Sequence, residues 1–350
     1  MSFKKQLRKK LIEDLSRGSL CAKWQKRKGP IALELRESFG WSPKYYRKRL
    51  VELTKVVETQ MCSKQWDEIN FSHVPSLAMS RYSKAFGKNA SDSFTEFKSK
   101  LKSGDKSVKV NAGAVYPYDI TKNVKYGDAG LADEQWKALP NFIGDAMVLP
   151  VVDVSGSMST PAGGYASKSG VSCLDVAISL GLYCSDKNTG PFKDLFLTFS
   201  TNSEFVHLTG TLSHKIAQMS RSNCDMSTDL HKAFEEILRV AKTNDVAAKD
   251  MPKVLLIMSD MQFNSCTRYD DSAMQMIRRR YEEAGYEVPQ VVFWNLNAAD
   301  NVPVKFDEKG VALVSGFSTH ILKAVLSCKF DEMTPKGIML KAIMDERYSL

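Results

Sequence analysis

The stretch VVDVSGSM, residues Val151–Met158, decides the fold class of this chain. It overlaps the apolar run Ala146–Val152, which is typical of a buried strand, and it places Asp153, Ser155 and Ser157 where that strand ends. Carboxylate and hydroxyl oxygens are the hard ligands that Mg²⁺ prefers. Open α/β sheets bind their ligands at the carboxyl ends of strands. The stretch therefore predicts a divalent-cation site, although Asp and Ser side chains that only cap the next helix would give the same pattern.

Two further pieces follow in chain order and favour the cation site. Thr228 stands directly before a helix with an apolar stripe, and Asp260 follows the short apolar run Val254–Met258. In a parallel sheet both loops would lie at the same edge as the first motif. Mg²⁺ is the cation that this oxygen-rich set favours, with Mn²⁺ and Ca²⁺ as alternatives.

Strand and helix patterns alternate from about residue 141 onward. This alternation predicts an α/β fold with a doubly wound, mostly parallel, Rossmann-like sheet. A tight turn at Thr201–Ser203 predicts that one edge strand is antiparallel. The six predicted strands are Ala146–Val152, Leu195–Ser200, Glu204–Leu208, Val254–Met258, Val288–Trp294 and Val311–Val314.

Before residue 141 the apolar residues recur at helical spacing, as at Tyr46, Leu50 and Leu53. Residues 104–130 are rich in Gly, Asp and Asn and are predicted to form a loop. We therefore divide the chain into a basic α-helical region at 1–140, a metal-binding α/β domain at 141–330 and a helical tail at 331–350.

The charge of the chain is divided unevenly. Residues 1–140 hold 28 Lys and Arg against 15 Asp and Glu, whereas residues 141–350 hold 21 against 25. The seven cysteines are scattered without a Cys-x-x-Cys pair, which is typical of free thiols in a reducing compartment. No apolar run approaches the roughly 20 residues that cross a bilayer, and the basic start lacks the features of a secretory signal. We expect a cytoplasmic protein with no membrane partner.

The basic region also contains clusters in which aromatic residues stand among Lys and Arg. Such clusters are typical of surfaces that neutralise phosphates and stack on unpaired bases, so RNA is a candidate partner. The alternative is a solvated basic face whose aromatic residues belong to the core. The candidate nucleic-acid contacts are Lys9, Lys10, Trp24, Arg27, Lys28, Tyr45, Arg47, Lys48 and Arg49.

The Asp-x-Ser-x-Ser motif with the later Thr and Asp resembles the metal-ion-dependent adhesion site of von Willebrand factor A-like domains. The resemblance implies that Ser155, Ser157 and Thr228 ligate the metal through their hydroxyls. It also implies that Asp153 and Asp260 bind the metal directly or through water. In such domains a carboxylate from a protein partner completes the metal shell. One departure concerns the loop before the threonine, where Asp-Met-Ser stands in place of the glycines of many family members.

Several longer stretches resemble an uncharacterised family of plants, bacteria, large viruses and bacteriophages. They include Asn70–Phe86, Val110–Ile120 and Val291–Asn297. Members join a helical N-terminal part to a C-terminal von Willebrand A-like domain. More distantly, the layout is similar to that of the Ro autoantigen, an RNA-binding protein, which implies RNA as a partner of the basic region. A region of 140 residues is too short for a full Ro-like ring of helix pairs.

These patterns predict a metal-dependent interaction module rather than an enzyme. The first motif lacks the second carboxylate of an aspartyl-phosphate site, and no phosphate-binding glycine loop is present. Three alternatives remain open: a Ro-like RNA-binding protein with a structural metal, a virion or assembly protein, and a metal-assisted phosphoesterase. The glycine-rich segment Thr160–Gly170 is either a lid over the metal or a solvated insertion. The sequence does not indicate the oligomeric state.

Overall fold

The chain folds into two compact units, which are described separately. One unit comprises Met1–Val74 with Ala85–Lys100, and the other comprises Pro75–Lys84 with Leu101–Leu350. The computed structural model describes residues 27–53, 56–144, 147–164, 170–199, 203–222, 230–260, 271–297, 311–316, 339–340 and 344.

Helices precede the sheet in the chain and then alternate with its strands. The helices are α1 (Pro30–Phe39), α2 (Pro43–Leu53), α3 (Val57–Cys62), α4 (Ser76–Asn89), α5 (Ser91–Lys102), α6 (Pro117–Tyr126), α7 (Ala129–Lys137), α8 (Cys173–Lys187), α9 (Leu212–Ser220), α10 (Leu230–Thr243) and α11 (Asp271–Glu283). The strands are β1 (Val148–Val152), β2 (Leu195–Thr198), β3 (Phe205–His207), β4 (Val254–Ser259), β5 (Gln290–Asn295) and β6 (Val311–Ser315).

The second unit is built on a six-stranded sheet in the order β3-β2-β1-β4-β5-β6. All neighbouring pairs are parallel except β2 and β3, which are antiparallel. Each of the six predicted strands is present, and the predicted antiparallel edge is confirmed. The chain winds outward in both directions from β1 and β4, so the point where the strand order reverses lies between these two central strands. This order is that of doubly wound nucleotide-binding folds, in which ligands sit at such a reversal.

The two central strands are buried on both faces because alternate side chains point into two different cores. On one face Val148 and Val152 of β1 pack with helices α8 and α9, and Gly181 of α8 lies close against β1. On the other face Leu149 and Val151 pack with α10 and α11. Continuous apolar runs such as that of β4 are the expected sequence of a strand covered on both sides.

Two helices from the predicted helical region also pack onto this sheet unit. Tyr116 and Ile120, which begin and line α6, share a core with Trp136 of α7 and with Val152 of β1. The prediction of a loop over 104–130 is therefore wrong for α6. Pro117 occupies the first turn of that helix, and the Asp119 carboxylate accepts a hydrogen bond from the Tyr116 N–H at 3.3 Å, which caps its start.

The first unit contains two small apolar clusters. Ala32 and Leu35 of α1 pack against Tyr46 and Leu50 of α2. A second cluster consists of phenylalanine rings whose centroids lie 5.0–5.6 Å apart around Phe71 and Phe86, a spacing typical of aromatic pairs.

The predicted regions 1–140, 141–330 and 331–350 are divided where the residue pattern and composition change. The compact units are defined by contacts between residues. The two descriptions place residues 75–84 and 101–140 differently, and the regions stay a prediction. Of the predicted tail, the structure describes only residues 339, 340 and 344. None of the described helices has the length and apolar composition that crossing a bilayer requires.

Candidate metal centre

Two acidic residues lie at the carboxyl ends of the central strands. Asp153 follows β1 and Asp260 follows β4, and the parallel register of these strands pairs Val152 with Met258. The Asp153 N–H donates to the Met258 carbonyl at 3.1 Å, which fixes the end of β1 to β4. Both residues are buried, with 3% and 1% of their surface exposed. The sheet therefore places the two predicted acidic residues at one edge, beside the reversal of strand order.

Hydrogen bonds orient the Asp153 carboxylate. Its Oδ1 accepts from the Ser155 N–H at 2.9 Å, and its Oδ2 accepts from the Ser259 hydroxyl at 2.8 Å. Burial raises the pKa of Asp153, the hydrogen bonds from both serines oppose this shift, and the charge of Asp260 adds to it. Ser259 is not among the residues predicted from the sequence. A polar residue that ends an apolar strand directly before an aspartate was the available signal.

Ser155 and Ser157 place two hydroxyls at this edge of the sheet, just after the end of β1. They stand at the start of a single 3₁₀ turn, Gly156–Ser159, which is anchored by the fully buried Met158. Their hydroxyls form a hydrogen bond with the Oγ atoms 3.0 Å apart, and both residues are half-buried rather than enclosed. Adjacent ligands of an octahedral Mg²⁺, each about 2.1 Å from the ion, are separated by about 3.0 Å. The two hydroxyls thus fit adjacent positions on such a cation.

The donor set differs from that of a carboxylate or thiolate site. Within the described residues, no three His, Cys, Asp or Glu side chains gather into a group able to hold a metal. Burial raises the pKa of the nearby Cys173 thiol, and the charges of Asp260 and Asp153 add to the shift, which disfavours a thiolate ligand. A cation at this edge would use hydroxyl oxygens as ligands, with the buried carboxylates nearby.

The segment after the first motif is held in place at both of its described ends. Pro161 bridges to Ser172, and the Ala162 N–H donates to the Val171 carbonyl at 2.8 Å. The Gly163 N–H donates to the Leu296 carbonyl at 2.8 Å, beyond the end of β5. Residues 165–169 lie outside the described residues, so the choice between a lid and a solvated insertion stays open.

The predicted site residues fall into two groups. The structure brings together Asp153, Ser155, Ser157 and Asp260, whereas Thr228 lies outside the described residues. Among the candidate nucleic-acid contacts, Lys9, Lys10 and Trp24 also lie outside them. The others belong to the first unit, where all are exposed apart from the partly buried Arg49; they are Arg27, Lys28, Tyr45, Arg47, Lys48 and Arg49.

Known proteins match the chain over most of its length. A family model described as Domain of unknown function (DUF7788) matches residues 147–346, and one described as Domain of unknown function (DUF2828) matches residues 35–146. An uncharacterised protein of Acanthamoeba polyphaga mimivirus is 30% identical over 359 residues, which cover 93% of this chain and 60% of the relative. The expected resemblance to an uncharacterised family with viral members is confirmed.

A solved structure is similar in fold. The crystal structure of the Deinococcus radiodurans RO (RSR) protein matches with a TM-score of 0.50 at 14% identity, over 85% of this chain and 59% of that one. At this identity the match shows a likeness of fold alone. The chain spans about three fifths of the length of both the viral relative and this structure.

Proposed function

The chain belongs to the family described as Domain of unknown function (DUF7788), and within that family we propose that it is a divalent-cation-dependent interaction module. The cation, with Mg²⁺ preferred, would bind at the carboxyl ends of β1 and β4. A carboxylate of a protein partner would complete its shell. This is the function of a von Willebrand factor A-like adhesion site, which the motif resembles.

The observation that supports the proposal most strongly is the position of two hydroxyls. Ser155 and Ser157 place them, partly exposed, at the strand ends that also hold the buried Asp153 and Asp260. The 3.0 Å separation of Ser155 Oγ and Ser157 Oγ suits two adjacent ligand positions. Asp153 lies behind them, oriented by Ser259. Thr228 and Asp260 are the remaining residues proposed to hold the ion, directly or through water.

The proposed chemistry depends on the small number of anionic ligands. Neutral hydroxyl ligands leave most of the charge of a divalent cation uncompensated, so the bound ion would attract an acidic group. The buried Asp153 and Asp260 would balance part of that charge from the protein side of the ion. The partly exposed hydroxyls would lie on the side that faces the partner. This arrangement would favour binding of an acidic group, because the charge left on the ion faces the partner.

Affinity capture from lysate under matched conditions tests the proposal. The full-length protein is compared with Ser155→Ala/Ser157→Ala, in Mg²⁺ and in EDTA, with Ser220→Ala/Ser222→Ala as the control. The control removes two hydroxyls on and after α9 that bond only local carbonyls. We expect the same partner proteins with the wild type and the control in Mg²⁺, and their loss in EDTA and in the site variant.

The role of the partner's carboxylates is tested in the same assay. Lysate whose carboxylates have been amidated should lose the captured proteins, because the acidic ligand of the cation is removed. Partners that remain with the site variant, or that bind equally in EDTA, would contradict the proposal.

A further inference from the structure

Helices α1 and α2 form a hairpin. Hydrogen bonds fix the turn between them, residues 40–42 with their flanking positions, which we call the elbow. Gly40 ends α1 in the left-handed conformation, with φ of 66°. The Trp41 N–H donates back to the Arg36 carbonyl at 2.9 Å, and Ser42 Oγ accepts from the Tyr45 N–H at 3.2 Å at the start of α2. These bonds fix the backbone between the two helices.

The elbow carries a cluster of aromatic rings that is only partly buried. Phe39 and Trp41 stack with centroids 4.3 Å apart and an angle of 16°, and Tyr45 meets Trp41 edge-on at 5.3 Å. Tyr46 is fully buried beneath them in the helix pair, whereas Tyr45 keeps 50% of its surface exposed. The cluster is therefore anchored by the buried Tyr46, and Tyr45 is its outward-facing ring.

Basic side chains line the face of α2 that adjoins this outward-facing ring. Lys44, Arg47 and Lys48 are all exposed, and their spacing of three and four residues places them on one face of the helix. Among the described residues Lys44 and Arg47 have no acidic partner, while Lys48 lies 4.0 Å from Glu52. Like charges so close repel one another, so an anion along this face would be favoured.

We propose that the α1–α2 hairpin binds single-stranded nucleic acid. Tyr45, backed by Trp41, stacks on an unpaired base, and Lys44, Arg47 and Lys48 contact the phosphates that run along the adjoining face of α2. The complementary charge favours a polyanion, and the exposed ring beside it favours one whose bases are free to stack. This surface lies in the first unit and requires no cation, so it goes beyond the interaction proposed for the sheet edge.

Fluorescence anisotropy with labelled 12-nucleotide RNA and DNA of mixed sequence tests the proposal in EDTA on the full chain. Tyr45→Ala should weaken binding about tenfold, as expected for the loss of one stacked base, while Tyr45→Phe keeps the ring and should bind like the wild type. The ring is half exposed, so both variants should fold, and a thermal melt checks this. Comparison of RNA with DNA shows which of the two is preferred.

The phosphate contacts are tested by salt dependence. Lys44→Gln/Arg47→Gln should reduce the slope of log affinity against log salt by about 1.4, since each single-strand phosphate contact contributes about 0.7. The control Lys242→Gln/Lys249→Gln removes the same charge from exposed positions near α10 and should keep the wild-type slope. Absence of binding by the wild type would overturn the proposal. So would equal affinity of Tyr45→Ala and wild type.

Discussion

At the scale of single residues, the candidate site depends on how buried carboxylates are satisfied. Asp153 is almost fully buried, and the Ser259 hydroxyl supplies its Oδ2 with a hydrogen bond. Asp153, Ser155, Ser157 and Asp260 could be proposed from the sequence because their spacing matches a known kind of site. Ser259 could not, since a serine that ends a strand resembles any other strand residue until the neighbouring strand is known.

Replacement of Ser259 by alanine tests this bond. The change leaves a buried carboxylate oxygen without its partner, so the free energy of unfolding in urea at neutral pH should fall by about 1–3 kcal/mol. Cation affinity should fall about tenfold, as is typical for residues that support metal ligands. The control Ser179→Ala removes a fully buried hydroxyl that bonds the Val176 carbonyl within α8, and it should cost less because alanine favours the helix. Equal stability of the two variants would show that the Ser259 bond is unimportant.

At the scale of helices and strands, the sequence predicts what each element is better than what it packs against. Each strand of the described residues was predicted, and the central strands were predicted because runs such as Val254–Met258 are apolar throughout. Helix α6 was missed because its few apolar positions are separated by polar residues that suit a loop. A helical stripe shows that one face is buried, but the packing of α6 and α7 onto the sheet depends on contacts across the fold.

The close approach of α8 to β1 gives a prediction at this scale. A Cβ at Gly181 would lie 2.5 Å from Val152 Cγ2 and 3.2 Å from Met219 Sδ, so Gly181→Ala must displace α8 or the Val152 side chain, at the end of the strand that precedes Asp153. We expect a loss of about 1–3 kcal/mol in the free energy of unfolding.

A second helical glycine provides the matched control. Gly87 in α4 has open space around its would-be Cβ, so Gly87→Ala should stabilise the protein by about 0.5–1 kcal/mol. Urea unfolding of both variants checks the pair. A stable Gly181→Ala variant would mean that α8 and β1 are packed less closely than the structure shows.

At the scale of the whole molecule, two kinds of chemistry occupy different compact units. The sheet unit places hydroxyls and buried carboxylates where its strand order reverses, and the first unit carries a basic, aromatic helical hairpin. The sequence predicted the doubly wound sheet and the uneven charge. It did not predict the limits of the compact units, because residue patterns along the chain do not record which segments return to pack together.

Titration of the full-length protein with Mn²⁺, followed by the loss of the electron paramagnetic resonance signal of free Mn²⁺, tests the central claim most directly. We predict one Mn²⁺ per chain, displaced by Mg²⁺, with affinity reduced at least about tenfold in Ser155→Ala/Ser157→Ala and unchanged in Ser220→Ala/Ser222→Ala. Wild-type protein that binds no Mn²⁺, or a site variant that binds it as tightly as the wild type, would contradict a cation site at the ends of β1 and β4.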